Sequence, residues 1–117
     1  MTDTEFKVTD VKDKNEWDNL ISKYDIVVCD FTATWCGPCK MIGPEFKKLA
    51  YNYKNNSRVL FVKIDVDENS EVSEMCEITC MPTFQIWNKG DKVKVLTGAS
   101  HENLVLIQTT VEKLLKK

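Results

Sequence analysis

One stretch of the chain restricts its architecture more than any other: Ile26-Val27-Val28-Cys29-Asp30-Phe31-Thr32, an apolar run broken only by Asp30. A strand with one face in water alternates apolar and polar side chains, whereas a continuous run marks a strand covered on both faces. Such a strand needs helices above and below it, which points to an α/β architecture. The downstream sequence supplies one. Beyond Trp35-Cys36-Gly37-Pro38-Cys39, the residues Met41, Ile42, Phe46, Leu49, Ala50 and Tyr53 predict the apolar face of a helix reaching about Tyr53. Gly43-Pro44 lies inside it, and because proline has no N–H for the carbonyl four residues back, a kink is expected there. After the turn Asn55-Asn56-Ser57, Val59 to Val66 reads as a second buried strand.

The remaining elements extend this alternation. Phe6 to Val8 is a short strand candidate, and Asp13-x-x-Glu16 reads as a capping box opening a helix with Trp17, Leu20, Ile21 and Tyr24 on one face. A short helix is expected from Ser70 to Cys76 with Val72 and Met75 inward. From Pro82 the period falls to two: Thr83 to Trp87 and Lys92 to Leu96 flank Asn88-Lys89-Gly90-Asp91, an antiparallel hairpin. Gly98-Ala99 breaks the second of these strands, and Ser100 caps a last helix with Leu104, Ile107, Val111 and Leu114 on one stripe. A βαβαβ half followed by an αββα half predicts one mixed sheet with helices on both faces. At 117 residues the chain fits a single domain, 1–117, large enough to fold without staples.

Composition narrows the function. A net charge of −2 lacks the basic excess of a nucleic-acid binder. No apolar run approaches the roughly 20 residues that span a bilayer. The opening Met1-Thr2-Asp3-Thr4-Glu5-Phe6-Lys7 has neither the basic start nor the apolar stretch of a signal peptide, and Leu114-Leu115-Lys116-Lys117 is no retention tetrapeptide, so the expected compartment is the cytosol. Five cysteines are then to be explained by packing, metal ligation or redox chemistry rather than by a disulfide framework.

Cys36-Gly37-Pro38-Cys39 sits where a buried strand turns into a helix. Two intervening residues in a first helical turn bring the side chains within disulfide reach. A sulfur at a helix N-terminus faces unpaired N–H groups and the positive dipole end, which favour thiolate. Cys36 is therefore the expected exposed nucleophile and Cys39 the more buried second attacker. Pro38 suits a first turn, where its missing N–H is not needed. Asp30 lies six residues before Cys36. A carboxylate in an apolar strand costs several kcal/mol unless paired, neutral or hydrated. Burial raises its pKa, which suits a base accepting the Cys39 proton, although a backbone or hydroxyl partner is the plain alternative. Lys63, on the neighbouring strand, is either its counter-charge or a solvated edge lysine. Pro82 either opens a strand without needing a donor or forms a cis bond that turns the Met81 backbone outward for an extended peptide.

Asp30-Phe31-x-Ala33-x-Trp35-Cys36-Gly37-Pro38-Cys39-Lys40 closely resembles the active-site signature of the thioredoxin family. Ile78-Thr79-Cys80-Met81-Pro82-Thr83-Phe84 is similar to its cis-proline segment, and Gly98-Ala99 to its substrate loop, with the likeness running from about Phe6 to Leu115. The resemblance implies the five-stranded thioredoxin fold with four helices, a Cys36–Cys39 redox disulfide and reduction of protein disulfides. It further implies a buried Asp30 near Lys63, and a peptide groove beside Trp35, Met81-Pro82 and Gly98-Ala99. No bound cofactor is implied, since NADPH acts through a thioredoxin reductase. Peroxiredoxins, methionine sulfoxide reductases and ribonucleotide reductase are the implied targets. Thr32 stands where bacterial members carry a second tryptophan, and the extra Cys76 and Cys80 match the animal cytosolic pattern. Cys80, at the groove rim, is either an incidental surface thiol or a site of glutathionylation or of an intermolecular disulfide that makes an otherwise monomeric chain a redox-dependent dimer. Cys29 and Cys76 read as core.

Four rival readings remain. Cys36, Cys39, Cys76 and Cys80 supply the four thiols of a structural zinc site, but the 36 residues between the pairs form a helix and a strand rather than a short loop. Asp65-x-Asp67-x-Asn69 begins like a calcium loop, but Ser70 and Cys76 replace its glycine and glutamate, leaving a solvated acidic loop. A non-catalytic interaction module on the same scaffold commonly lacks one cysteine, whereas this chain keeps both. An oxidative folding enzyme typically carries histidine where Pro38 stands.

Overall fold

The computed structural model describes residues 6–117, so the first five residues of the polar opening segment lie outside the described residues. The elements are β1 (Thr9–Asp10), α1 (Lys14–Lys23), β2 (Ile26–Thr32), α2 (Gly37–Tyr51), β3 (Val59–Asp65), α3 (Ser70–Met75), β4 (Thr83–Asn88), β5 (Asp91–Thr97) and α4 (His101–Leu115). They build one five-stranded sheet in the order β1-β3-β2-β4-β5. β3 runs parallel to both β1 and β2, while β4 is antiparallel to β2 and β5. The sheet is mixed, as the order of elements predicts.

The run at β2 is central and buried, and alternate residues feed two cores. Ile26 and Val28 pack with Ile42 and Phe46 of α2, Phe84 and Ile86 of β4, and Ile107 and Val111 of α4. Val27, Cys29 and Phe31 pack on the other face with Trp17 of α1 and Val72 of α3, alongside Val62, Ile64 and Cys76. Fully burying each large apolar side chain is worth about 1.5–3 kcal/mol, which explains why this strand has no solvent-facing residue set. The helix ends follow from their caps: Asp13 Oδ1 accepts the Glu16 N–H at 2.9 Å, and Ser100 Oγ accepts the Asn103 N–H at 3.2 Å. In the hairpin, Lys89 and Gly90 both take positive φ (52° and 87°), so the loop is two residues long and Asn88 and Asp91 belong to the strands.

Four details differ from the sequence reading. Phe6 and Val8 are not in a strand: they pack their side chains against the core, and the ladder starts only where Thr9 meets Val62. Met41 is 78% exposed, because the inward stripe is set by Cys39, Ile42, Phe46 and Leu49, and Met41 lies about 100° round from Ile42. Tyr53 is buried but lies in the turn after α2, which ends at Tyr51. Met75 is exposed, since Val72 and Cys76 take the inward positions of this one-turn helix.

Candidate active site

β2 delivers the chain to the top of α2 through Ala33-Thr34-Trp35. Cys36 is the N-cap, in extended conformation, with a proline in the first helical turn. Its sulfur accepts the Cys39 N–H at 3.2 Å, so the helix-end donor that sequence reasoning expects is aimed at this atom. Cys36 and Cys39 are joined as a disulfide with their Cα atoms 5.3 Å apart. Cys36 is not the exposed member of the pair in this state. The two residues are 6% and 4% exposed, forming with Ala33 a small cluster against which Val66 and Met81 pack.

Trp35 is 65% exposed beside the pair, its indole Nε1 donating to Asp67 Oδ2 at 2.8 Å. Asp67 is positioned by Asp65, whose Oδ1 accepts the N–H groups of Asp67 (2.8 Å) and Glu68 (3.1 Å). The acidic loop is thus more than a solvated connection, which the spacing of its carboxylates did not reveal. Met81–Pro82 is cis, and the Met81 carbonyl oxygen lies 3.8 Å from Cys36 Sγ. The Gly98 N–H donates to the Pro82 carbonyl at 3.0 Å, bringing Gly98 beside the proline in a backbone conformation (φ 100°) that glycine adopts freely. Asn103 Nδ2 fixes this loop by donating to the carbonyls of Thr97 and Gly98, both at 2.9 Å. Ala99 packs partly into the α2–α4 core. Cys80 is an exposed free thiol, 3.8 Å from Thr83 Oγ1. The fold therefore brings Trp35, the cysteine pair, Met81-Pro82 and Gly98 to one end of the sheet.

Asp30 lies beneath. It is 3% exposed, and its Oδ1 is buried with no hydrogen-bond partner. Burial pushes its pKa up to about 7, with the positive charge of Lys63 pulling the other way. Asp30, Lys63 and Cys39 line one cavity of about 620 Å³. Lys63 is in register with Asp30, but its ammonium is ion-paired elsewhere, 3.5 Å from Asp10 Oδ1. Cys29 and Cys76 are buried free thiols in the opposite core, and burial raises both pKa values, that of Cys76 to about 11. The four cysteines of the zinc reading are therefore not brought together. Among the described residues no group of three or more His, Cys, Asp or Glu side chains is placed to hold a metal ion. No helix is long and apolar enough to cross a membrane among the described residues.

A disulfide-bonded cysteine pair at the N-terminus of α2, beside a cis-proline segment at one end of the sheet, defines a thiol–disulfide oxidoreductase of α/β architecture. Comparison with known proteins makes this specific. The family model for thioredoxin matches residues 7–111. Thioredoxin of Homo sapiens is 48% identical over 89 residues, covering 76% of this chain and 79% of that protein. The solved structure of Plasmodium falciparum thioredoxin is 41% identical with a TM-score of 0.80, over 86% of this chain and 95% of that one. A chain from a structure describing the thiol resolving mechanism in yeast mitochondrial 1-Cys peroxiredoxin via glutathione/thioredoxin systems is 35% identical with a TM-score of 0.79, covering 97% and 99%. The chain belongs to the thioredoxin family, with the thioredoxin fold and a Cys36–Cys39 dithiol–disulfide pair.

Proposed function

We propose that this chain is one domain, 1–117, that reduces disulfides in cytosolic proteins. The Cys36 thiolate attacks one sulfur of a target disulfide; the new Cys36–target bond forms as the target disulfide breaks, and the released target sulfur takes up a proton. Cys39 then loses its proton to the Asp30 carboxylate and attacks Cys36 Sγ. That breaks the mixed disulfide, closes Cys36–Cys39 and releases the second target sulfur as a thiol. Two electrons pass from the protein to the target. The observation that carries this reading is the Cys39 N–H bonded to Cys36 Sγ at the N-terminus of α2, which stabilises negative charge on the attacking atom.

Trp35, Met81, Pro82, Gly98 and Ala99 form the groove for an extended target segment, Gly37 and Pro38 shape the turn between the sulfurs, Lys63 sets the field at Asp30, and Cys80 lies at the rim. Because the electrons reside on sulfur, no bound cofactor takes part. NADPH acts through a thioredoxin reductase that returns two electrons to the pair. Peroxiredoxins, methionine sulfoxide reductases and ribonucleotide reductase are the targets, the first supported by the peroxiredoxin study among the structural relatives. Neither nucleic acid nor membrane is a partner. The working form is a monomer, and Cys80 allows a redox-dependent dimer. Insulin reduction tests the reading: Cys36→Ser abolishes turnover, whereas Cys39→Ser reacts once and accumulates a mixed disulfide. An active Cys36→Ser protein overturns the nucleophile assignment, and a wild type that fails to reduce insulin favours a binding module.

A further inference from the structure

The sheet register lines up three charged residues. Asp10 of β1 is paired with Lys63 of β3, and Lys63 with Asp30 of β2, so the three side chains share one face in a row across adjacent strands about 4.8 Å apart. The row runs from solvent to core: Asp10 and Lys63 are exposed, whereas Asp30 is buried with an unpartnered oxygen. Lys63 thus stands between two carboxylates, and its ammonium is drawn to the outer one, 3.5 Å away. All three open onto the cavity that reaches Cys39.

We propose that Asp10 is a positioning residue for the resolving step: by holding the Lys63 ammonium at the outer end of this row, it leaves Asp30 without a cationic partner and so strengthens Asp30 as a proton acceptor for Cys39. This rests on the reading of Asp30 as the base. In a row of this kind one cation cannot satisfy both anions, and an ammonium released from Asp10 moves its charge toward Asp30. Burial pushes the Asp30 carboxyl up to about 7 and Lys63 opposes that shift, so the location of Lys63 decides how much of the opposition is felt. The other charged groups at this cavity are Lys12, Lys40, Asp65 and Glu68, and an adjoining hollow adds Lys7 and Lys47. All six stay constant in the variants below.

The test is a double-mutant cycle read by the NMR titration of the Asp30 carboxyl in the oxidised protein, with Asp10→Asn, Lys63→Met and both together. An exposed ion pair is a modest interaction, so Asp10→Asn is expected to lower the Asp30 midpoint by about 0.5 pH unit. Lys63→Met is expected to raise it. In the Lys63→Met background the Asp10 substitution is expected to lose most of its effect. An unchanged midpoint in Asp10→Asn overturns the inference, as does an equal shift with Lys63 absent, which makes Asp10 a bare charge rather than a holder of Lys63. The pH profile of target release, followed by stopped-flow with a fluorescent disulfide peptide, is expected to shift in the same direction as the NMR midpoint in each variant. Asp30→Asn separates the two readings: release at the wild-type rate removes the base role and the catalytic half of this inference, whatever the cycle returns for the coupling.

Discussion

Two pairs of cysteines in this molecule are about equally hidden from water and chemically unlike. Cys36 and Cys39 are 6% and 4% exposed; Cys29 and Cys76 are 0% and 1%. Burial alone therefore does not distinguish the redox pair from the inert one. What differs is the company each sulfur keeps. Cys36 caps a fifteen-residue helix and receives a backbone N–H, while Cys29 projects from the middle of β2 into an apolar cluster. The first setting favours a thiolate and the second penalises it, as the raised pKa of Cys29 records. Reactivity here is a property of where the backbone donors point.

Removing the nucleophile gives the largest effect expected from this contrast: Cys36→Ser is expected to lower insulin reduction by at least ~10³-fold, while Cys29→Ala leaves the rate within about twofold. A comparable loss in Cys29→Ala breaks the distinction between the pairs. Next comes Asp30, whose folded pKa near 7 lies above the ordinary carboxylate value of 3.8. A carboxyl raised in this way is stabilising below the unfolded pKa, and that contribution is lost as pH rises from about 4 through 7. Asp30→Asn is accordingly expected to be more stable than wild type at pH 8, by about 4 kcal/mol, and to converge with it near pH 4. Urea unfolding at the two pH values measures this, and equal differences at both refute it. Smaller again is Cys29→Ser, which places a hydroxyl in the apolar core of β2 and is expected to cost about 1–3 kcal/mol in the same assay with little change in activity. The mildest is Asp67→Ala. Freeing the Trp35 indole is expected to lower its fluorescence anisotropy and to reduce kcat/KM for a disulfide peptide about two- to fivefold, mostly through KM.

The parts legible from sequence are those set by local pattern. The boundaries of β2 coincide with its apolar run, and the Ser100 cap and the stripe Leu104, Ile107, Val111 and Leu114 stand as read, because capping and helical period act within a few residues. Periodicity misled where a residue lay beside a stripe rather than on it, as with Met41, or where a helix was too short to define one, as with Met75. Within the site, the sulfur pair, the lone carboxylate of β2 and the proline segment are visible as motifs. The Asp67 contact with Trp35 is not, since it joins residues 32 positions apart through a loop whose turn geometry only the fold supplies. The pairing of Lys63 with Asp10 is equally hidden, because a lysine opposite Asp30 on one strand meets Asp10 only when the register of a third strand is known. The isomer at Met81–Pro82 was open for a similar reason: an X-Pro bond leaves both states within about 1 kcal/mol, and surroundings decide.

The rims of the sheet carry a consequence for the protein in crowded solution. One rim is β1, only two residues long; the other is β5, where Lys92 and Lys94 interrupt the exposed Val93 and Val95. A stub too brief to template a ladder and a margin studded with ammonium groups both discourage a neighbouring strand from zipping onto either edge of the sheet.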